Sequence, residues 1–129
     1  MGFIMTHESW MKYQPEFTAA EFDCRCGCGL NNMESGFMDK LWTAREMAGI
    51  PFVITSGARC PAHNRDEGGE ETSDHLGGHG ADISARDSRT RFIILDALIR
   101  TGFSRIGIGQ SFIHAGDDPA NPPRVAWLY

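Results

Sequence analysis

Residues 55–83 read TSGARCPAHNRDEGGEETSDHLGGHGADI, and the rest of the chain is organised around this stretch. Nine of its 29 residues are Asp, Glu or His, and six are glycine. A hydrophobic core instead requires apolar residues at the period of a helix or a strand. Glycines let the backbone approach a ligand closely, and converging polar groups are typical of loops that carry function. The stretch therefore predicts a polar, loop-rich site against which the other elements pack.

Three side chains of the chain form a candidate metal site. His75 and Asp82 lie seven residues apart in a glycine-rich segment, and His114 stands in the apolar segment SFIH, residues 111–114. A polar side chain buried among apolar neighbours costs free energy unless it is paired or ligated. Two His and one Asp make a reasonable catalytic zinc set, because three protein ligands leave one coordination position for water. The alternative for His75 and Asp82 is a hydrogen-bonded pair that steadies the loop.

Length and composition limit the class of protein. A chain of 129 residues predicts one domain, 1–129, whose residues 1–16 show no period and are expected to form an N-terminal surface segment. The net charge of −5 without a basic cluster argues against a nucleic-acid partner. No apolar run approaches the roughly 20 residues of a membrane span. The first residues lack the pattern of a secretory signal, so we expect synthesis in the cytoplasm, and we expect a monomer.

Hydrophobic spacing predicts two long helices. The first covers residues 34–48 and ends at Gly49, a natural stop signal. Its apolar positions recur at helical spacing: Phe37, Leu41, Ala44 and Ala48. The second covers residues 88–101 and ends at Gly102. Its buried face is predicted to consist of Phe92, Leu95, Leu98 and Ile99.

Short segments complete the predicted fold. Short helices are expected from Thr18, where Glu21 completes a capping box, and from Pro61. The predicted strands are 51–55, 80–84, 105–109, 112–115 and 125–129. Helices early in the chain, strands late and hairpin-length connections favour an α+β fold with a small, mainly antiparallel sheet. Strand 80–84 would mount Asp82 rigidly.

The four cysteines allow three interpretations. Cys24, Cys26 and Cys28 occupy alternate positions, and Cys60 lies far along the chain beside Arg59. Two disulfides are possible in three pairings. A structural four-cysteine zinc site is also possible, although the spacing differs from the usual C-x₂-C. Synthesis in the cytosol favours reduced thiols, so we favour a structural site or free thiols that tie the N-terminal part to Cys60.

Several motifs occur together in a recognisable order. They are Ser56-Gly57-Ala58-Arg59, Asn64, Gly68-Gly69, Ser73-Asp74-His75, Gly78, Ala81-Asp82-Ile83, the segment GFSRIGI at 102–108, and Phe112-Ile113-His114. With them the chain resembles the zinc D-alanyl-D-alanine carboxypeptidase family, which includes phage endolysin peptidases and shares its fold with the Hedgehog signalling domain. The resemblance covers residues 17–129. The cysteine segment is similar to the phage- and prophage-borne branch.

This resemblance implies a fold, a cofactor and a set of roles. His75, Asp82 and His114 would hold Zn²⁺. Arg59 would stabilise the oxyanion beside the scissile carbonyl, and Ser73 would contact the peptide. The implied substrate is a stem peptide of bacterial peptidoglycan, cleaved next to a D-amino acid, by carboxypeptidase or endopeptidase action. The place of action would be the bacterial cell wall or a phage-like particle.

The proton acceptor is where the chain departs from the family. Some relatives carry an acid where this chain has Ser111, and many phage-type relatives read His-x-Asp where it has His114-Ala115-Gly116. Asp117 is one residue late, and a shift of one residue on a strand reverses the face of a side chain. A bulge at Gly116 would restore it, so Asp117 is the predicted base and Asp118 the second choice. The departure leaves a second hypothesis, a zinc-bearing but inactive binding or structural module of a phage-like particle.

Overall fold

The computed structural model describes residues 3–129 and shows an α+β fold with one five-stranded sheet. The helices are α1 His7–Trp10, α2 Ser35–Ala48, α3 Pro61–Asp66 and α4 Ser88–Arg100. The strands are β1 Ile54–Ser56, β2 Gly80–Ser84, β3 Arg105–Ile108, β4 Phe112–Gly116 and β5 Val125–Leu128. Three 3₁₀ helices, Met11–Tyr13, Ala19–Phe22 and Asp74–Gly77, connect these elements. The predicted α+β class with a mainly antiparallel sheet is confirmed.

The sheet places one row of residues across all five strands. Its order is β1-β2-β4-β3-β5, and every neighbouring pair is antiparallel except β3 with β5. Asp82 on β2 pairs with Ser56 on β1 and with His114 on β4. Gly107 on β3 pairs with His114 and with Trp127 on β5. Because directly opposite residues share a face of the sheet, this row defines one surface on which polar and aromatic groups meet.

Helix α2 matches its prediction closely. The Glu34 side chain accepts a hydrogen bond from the backbone N–H of Phe37 at 2.8 Å and caps the helix, which ends at Gly49 in the left-handed conformation with φ 68°. Phe37 and Leu41 are buried as expected, and α2 packs against α4. None of the helices within residues 3–129 is long and apolar enough to cross a membrane.

Helix α4 buries only part of the predicted face: Leu98 is buried and Leu95 packs partly buried against the core, as expected. Ile94, Ala97 and Leu98 form the buried stripe, whereas Phe92 is 70% exposed and Ile99 is 63% exposed. Successive residues turn by about 100° around a helix, so residues 94, 97 and 98 share one side. Phe92 and Ile99 lie on the opposite side. The sequence offers two apolar stripes that share Leu98, and packing against α2 and β4 buries the one that also contains Ile94 and Ala97.

The N-terminal segment does more than cover the surface. Residues 1–2 lie outside the described part of the chain, but within residues 3–16 the side chains of Trp10 and Tyr13 are buried. The Trp10 ring lies 5.4 Å from the Phe22 ring, and the Tyr13 hydroxyl donates to Asp39 on α2. Helix α1 is a single turn, too short for a hydrophobic period to be visible in the sequence.

Candidate active site

The structure brings together the three side chains of the candidate metal site. His75 lies on the 3₁₀ helix Asp74–Gly77, Asp82 on β2 and His114 on β4. His75 Nε2 lies 3.3 Å and His114 Nδ1 lies 2.9 Å from the same oxygen, Asp82 Oδ1. All three residues are buried, and their ligand atoms lie within 4.8 Å of one another. Two imidazole nitrogens and a carboxylate oxygen suit a divalent first-row metal, so this donor set fits zinc.

Electrostatics tune the protonation of the three candidate ligands. Burial lowers the pKa of His75, although the neighbouring Asp82 opposes the shift. Burial disfavours the charged form of Asp82, but hydrogen bonds from His114 and His75 outweigh it and lower the pKa of this carboxyl. For His114 burial also disfavours charge, and hydrogen bonds to Asp74 and Asp82 nevertheless raise its pKa. Metal binding requires neutral imidazole and ionised carboxylate, so a metal ion competes with a proton mainly at His114.

A second set of hydrogen bonds orients each imidazole. His75 Nδ1 lies 2.7 Å from the carbonyl oxygen of Gly57, which makes Nδ1 the donor and leaves Nε2 facing Asp82. His114 Nε2 lies 2.9 Å from Asp74 Oδ2, which leaves Nδ1 facing Asp82. Partners of this kind fix the tautomer and ring orientation of metal-binding histidines. Each ring therefore directs its other nitrogen toward the same point, Asp82 Oδ1.

Asp74 is a site residue to which the sequence analysis gave no role. Its buried carboxylate accepts from Arg105 Nε at 3.0 Å and from the backbone N–H of Asp118 at 3.3 Å, besides contacting His114. A Cβ atom on Gly116 would overlap this carboxylate and lie 2.8 Å from His114 Nε2. Glycine is therefore required at position 116, because Asp74 occupies the space. The available signal was an acid directly beside a candidate ligand in Ser73-Asp74-His75.

Arg59 lies at the edge of the same cluster, just after β1. Its guanidinium donates to three acceptors: Ser56 Oγ at 3.2 Å, Asn64 Oδ1 at 3.4 Å and Asp82 Oδ2 at 3.4 Å. Ser73 caps the 3₁₀ helix, and its hydroxyl accepts from the backbone N–H of His75 at 3.3 Å. Both side chains line the same cavity as the three candidate ligands. The fold thus gathers five of the six residues to which the sequence analysis gave a role.

A family model described as Peptidase M15 matches residues 15–116. The matched range covers well over half of the chain and includes Arg59 and the three candidate metal ligands. The chain belongs to the M15 peptidase family. M15 membership confirms the resemblance found in the sequence and makes the protein a member of a family of metal-dependent peptidases. No curated protein matches the chain.

The sixth residue, Asp117, lies just beyond the part matched by the M15 model. Gly116 pairs directly with Gly80, so β4 has no bulge that would turn Asp117 back toward the cluster. Asp117 Oδ2 accepts from Lys40 Nζ at 2.9 Å, and Oδ1 lies 3.0 Å from His79 Nδ1. Neither Asp117 nor Asp118 belongs to the lining of the cavity. The role of Asp117 as the base stays a prediction.

The cavity of this M15 protein has a volume of about 800 Å³ and one aromatic side. That side consists of Phe112, Trp127 and Tyr129, and the Trp127 ring lies 5.5 Å from the ring of His114. Gly107 makes room for it, because a Cβ atom there would lie 2.6 Å from Tyr129 and 2.8 Å from Trp127. These aromatic residues were not predicted from the sequence. Their signal was the alternation of two aromatic residues along the last predicted strand, which puts them on one face.

Proposed function

We propose that this M15 protein is a zinc-dependent peptidase that hydrolyses peptide bonds next to D-amino acids in the stem peptides of bacterial peptidoglycan. The observation that carries the proposal is the convergence of His75 and His114 on one oxygen of Asp82, at the wall of an 800 Å³ cavity. These three residues would hold the ion. When bound, zinc would polarise the scissile carbonyl and lower the pKa of a water molecule.

Arg59 is proposed to stabilise the negative charge that develops on the carbonyl oxygen. Its guanidinium is held in place by Ser56, Asn64 and Asp82, so little reorganisation is needed when that charge appears. Ser73 is proposed to contact the peptide, because its oxygen already accepts from His75 N and its O–H is left to donate. Both side chains line the cavity.

The size and lining of the cavity support a short peptide as the substrate. Ligand pockets commonly measure about 300–1,000 Å³ and combine apolar walls with a few convergent polar groups. Here Trp127 and Tyr129 offer an apolar wall for aliphatic side chains, and Arg59 offers a cation for carbonyl or carboxylate oxygens. Stem peptides combine small aliphatic side chains with carboxylates, so both kinds of surface have a matching group.

For the proton acceptor we retain Asp117. The proposal is supported by its contact with His79 Nδ1, through which a proton can leave the carboxylate. As a base, Asp117 has to give up one of its present partners, Lys40 or His79. Asp74 has a different role, because it contacts the nitrogen of His114 that faces away from Asp82.

The present contacts of the Asp117 carboxylate favour a second function. Gly116 supplies no acid, and both oxygens of Asp117 are engaged by neighbouring groups, Lys40 Nζ and His79 Nδ1. A site that holds a metal without a free base would serve as a binding or structural module of a phage-like particle. The two functions are distinguished by hydrolysis of peptidoglycan, which only the peptidase would carry out.

Digestion of purified peptidoglycan, with identification of the released peptides by mass, tests the proposal. We expect wild type to release stem-peptide fragments, and we expect His75→Ala to release none and to lose the metal of this site. His7→Ala is the matched control, because His7 is exposed on α1. A wild-type protein that binds metal yet leaves every stem peptide intact would instead establish the inactive module.

A further inference from the structure

Four thiols form a second cluster outside the candidate active site. Cys24, Cys26, Cys28 and Cys60 are all free, and their sulfur atoms lie within 4.8 Å of one another. Cys26 Sγ lies 3.4 Å from Cys24 Sγ and 3.7 Å from Cys60 Sγ. A tetrahedral zinc with Zn–S bonds of about 2.3 Å has sulfur–sulfur edges of about 3.8 Å. The two shortest separations lie close to this edge and the others stay within 4.8 Å, so the four thiols can surround one ion.

The backbone explains how cysteines at alternate positions can surround one point. In an extended strand, residues four apart are separated by about 13 Å, too far for their thiols to share an ion. Here Gly27 and Gly29 both adopt φ 86°, in the left-handed region that favours glycine. The N–H of Gly27 donates to the carbonyl of Cys24 at 3.2 Å, which closes a tight turn. The loop therefore folds back, and all three thiols face Cys60.

Backbone donors and one arginine hold this arrangement in place. The N–H of Cys60 donates to Cys24 Sγ, and the N–H of His63 donates to Cys60 Sγ, each at 3.4 Å. Such N–H···S contacts support thiolates at metal sites. The Arg25 guanidinium donates to backbone carbonyls on both sides of the loop, among them Glu21 at 2.7 Å and Ile54 at 3.1 Å. The loop is thereby fastened to β1 independently of any ion.

We propose that Cys24, Cys26, Cys28 and Cys60 bind a second, structural Zn²⁺ ion. Four thiolates complete a tetrahedron and leave no open position, which is the hallmark of a structural rather than a catalytic zinc site. Soft thiolate ligands select zinc or iron over the hard cations Mg²⁺ and Ca²⁺.

The position of Cys60 connects this site to the proposed chemistry. Cys60 directly follows Arg59 and caps α3, whereas the other three ligands belong to the loop after the 3₁₀ helix Ala19–Phe22. An ion shared by the two segments would hold the backbone at Cys60 and so help to position the Arg59 guanidinium. The metal-binding part of the inference stands without the proposed peptidase activity, because its ligands are separate from His75, Asp82 and His114.

Metal analysis of the full chain in two backgrounds tests the inference. Purified without chelator under reducing conditions, wild type should carry two zinc ions per chain, and His75→Ala should carry one. Adding Cys26→Ser to His75→Ala should reduce the bound zinc from one to none. Cobalt(II) bound to His75→Ala should show intense sulfur-to-metal charge-transfer absorption, which a site of nitrogen and oxygen ligands lacks.

Three outcomes would overturn the proposal. His75→Ala could hold no metal while all four thiols react freely with a thiol reagent. Protein purified separately without reductant and then unfolded could show no free thiols, which would establish two disulfides. Iron in place of zinc would overturn the identity of the ion. Because these measurements use His75→Ala, they are independent of whether wild type cleaves peptidoglycan, and a failure of one proposal is distinguishable from a failure of the other.

Discussion

Arg59 is held by hydrogen-bond acceptors on three sides and is largely shielded from solvent, which makes its contribution measurable. Arg59→Ala should lower kcat/KM by about 10²–10³-fold, the effect of losing one oxyanion donor. Metal content and Tm should change little, because Asp82 keeps its contacts with both histidines. Arg100→Ala is the control, since Arg100 makes an exposed pair with Asp96 that contributes little. A loss of stability as large as the loss of activity would make Arg59 a structural ion-pair residue.

Asp74 should act on the metal through His114. Asp74→Asn keeps the shape of the side chain but removes the negative charge that faces His114 Nε2. The metal affinity of the active site should fall about 10–100-fold, as for other residues that orient a ligand. Titration against a competing chelator measures this change, with the exposed Asp96→Asn as the control. Unchanged metal affinity combined with reduced stability would limit Asp74 to its pairing with Arg105.

Asp117 is the predicted base and can be tested without disturbing the candidate ligands. Asp117→Asn should lower hydrolysis by about 10²–10⁴-fold, the usual contribution of general base catalysis. Metal and fold should be retained, because Lys40 is partly exposed and can turn to solvent. Asp118→Asn should have a mild effect. If both variants cleave stem peptides at the wild-type rate, the base lies elsewhere, and His79 and His63 are the next residues to change.

At the level of elements, α4 distinguishes packing from sequence periodicity. Ile94 is fully buried although spacing did not place it on the buried face, so Ile94→Ala should reduce the free energy of unfolding by about 2–5 kcal/mol. Phe92 is 70% exposed, so Phe92→Ala should change it by at most about 0.5 kcal/mol. Urea denaturation of the two variants measures both values. The reverse order would mean that the helix is rotated so that the face predicted from sequence is buried.

The elements that the sequence predicted well carry redundant local signals. Helix α2 combines a single apolar stripe with a capping residue and a glycine stop, and its observed bounds differ from the prediction by one residue. Helix α4 carries two overlapping apolar stripes, of which only tertiary packing can select one. Trp10 and Tyr13 lie in turns too short to show a period, so their burial was not visible.

The residues of the candidate site also fall into two groups: those with a local sequence signal and those whose role depends on tertiary structure. The proximity of His75, Asp82 and His114 could be predicted because residues of ligand type stand at motif spacing or in an apolar setting. Asp74 and Trp127 were missed because their roles depend on which strands are neighbours and in what register, and neither is encoded locally. The pairing of β3 with β5, for example, brings Trp127 within reach of His114 across Gly107.

For the whole molecule, the contact between Tyr13 and Asp39 predicts that the folded state loses stability at both acid and alkaline pH. Burial opposes charge on Asp39, but hydrogen bonds from Tyr13 and Lys12 lower its pKa. Its contribution is therefore present above the unfolded pKa of about 3.9 and is lost as the pH falls through the lower folded value. Burial and the hydrogen bond to Asp39 raise the pKa of Tyr13, so its contribution is present below pH about 10 and is lost as the pH rises above that.

Tm measured across this pH range checks both limits. Asp39→Asn should flatten the acid limb and part of the alkaline limb, and Tyr13→Phe should flatten both, because each residue shifts the pKa of the other. Asp96→Asn, on the exposed side of α4, is the control and should leave the profile unchanged. A profile that Tyr13→Phe does not alter would show that the N-terminal segment is joined to α2 by apolar contacts alone.

The Asp74 carboxylate fills the volume that a side chain at position 116 would need, and this limits how such a site can change in evolution. An acid introduced by Gly116→Asp would enter the volume that the Asp74 carboxylate fills, beside His114 Nε2. The effect of that substitution therefore depends on residue 74, which is a case of epistasis between positions far apart in sequence. A lineage could exchange one carboxylate for the other by first shortening the residue at position 74. If Gly116→Asp came first, the intermediate protein would have both carboxylates in one volume and a displaced His114.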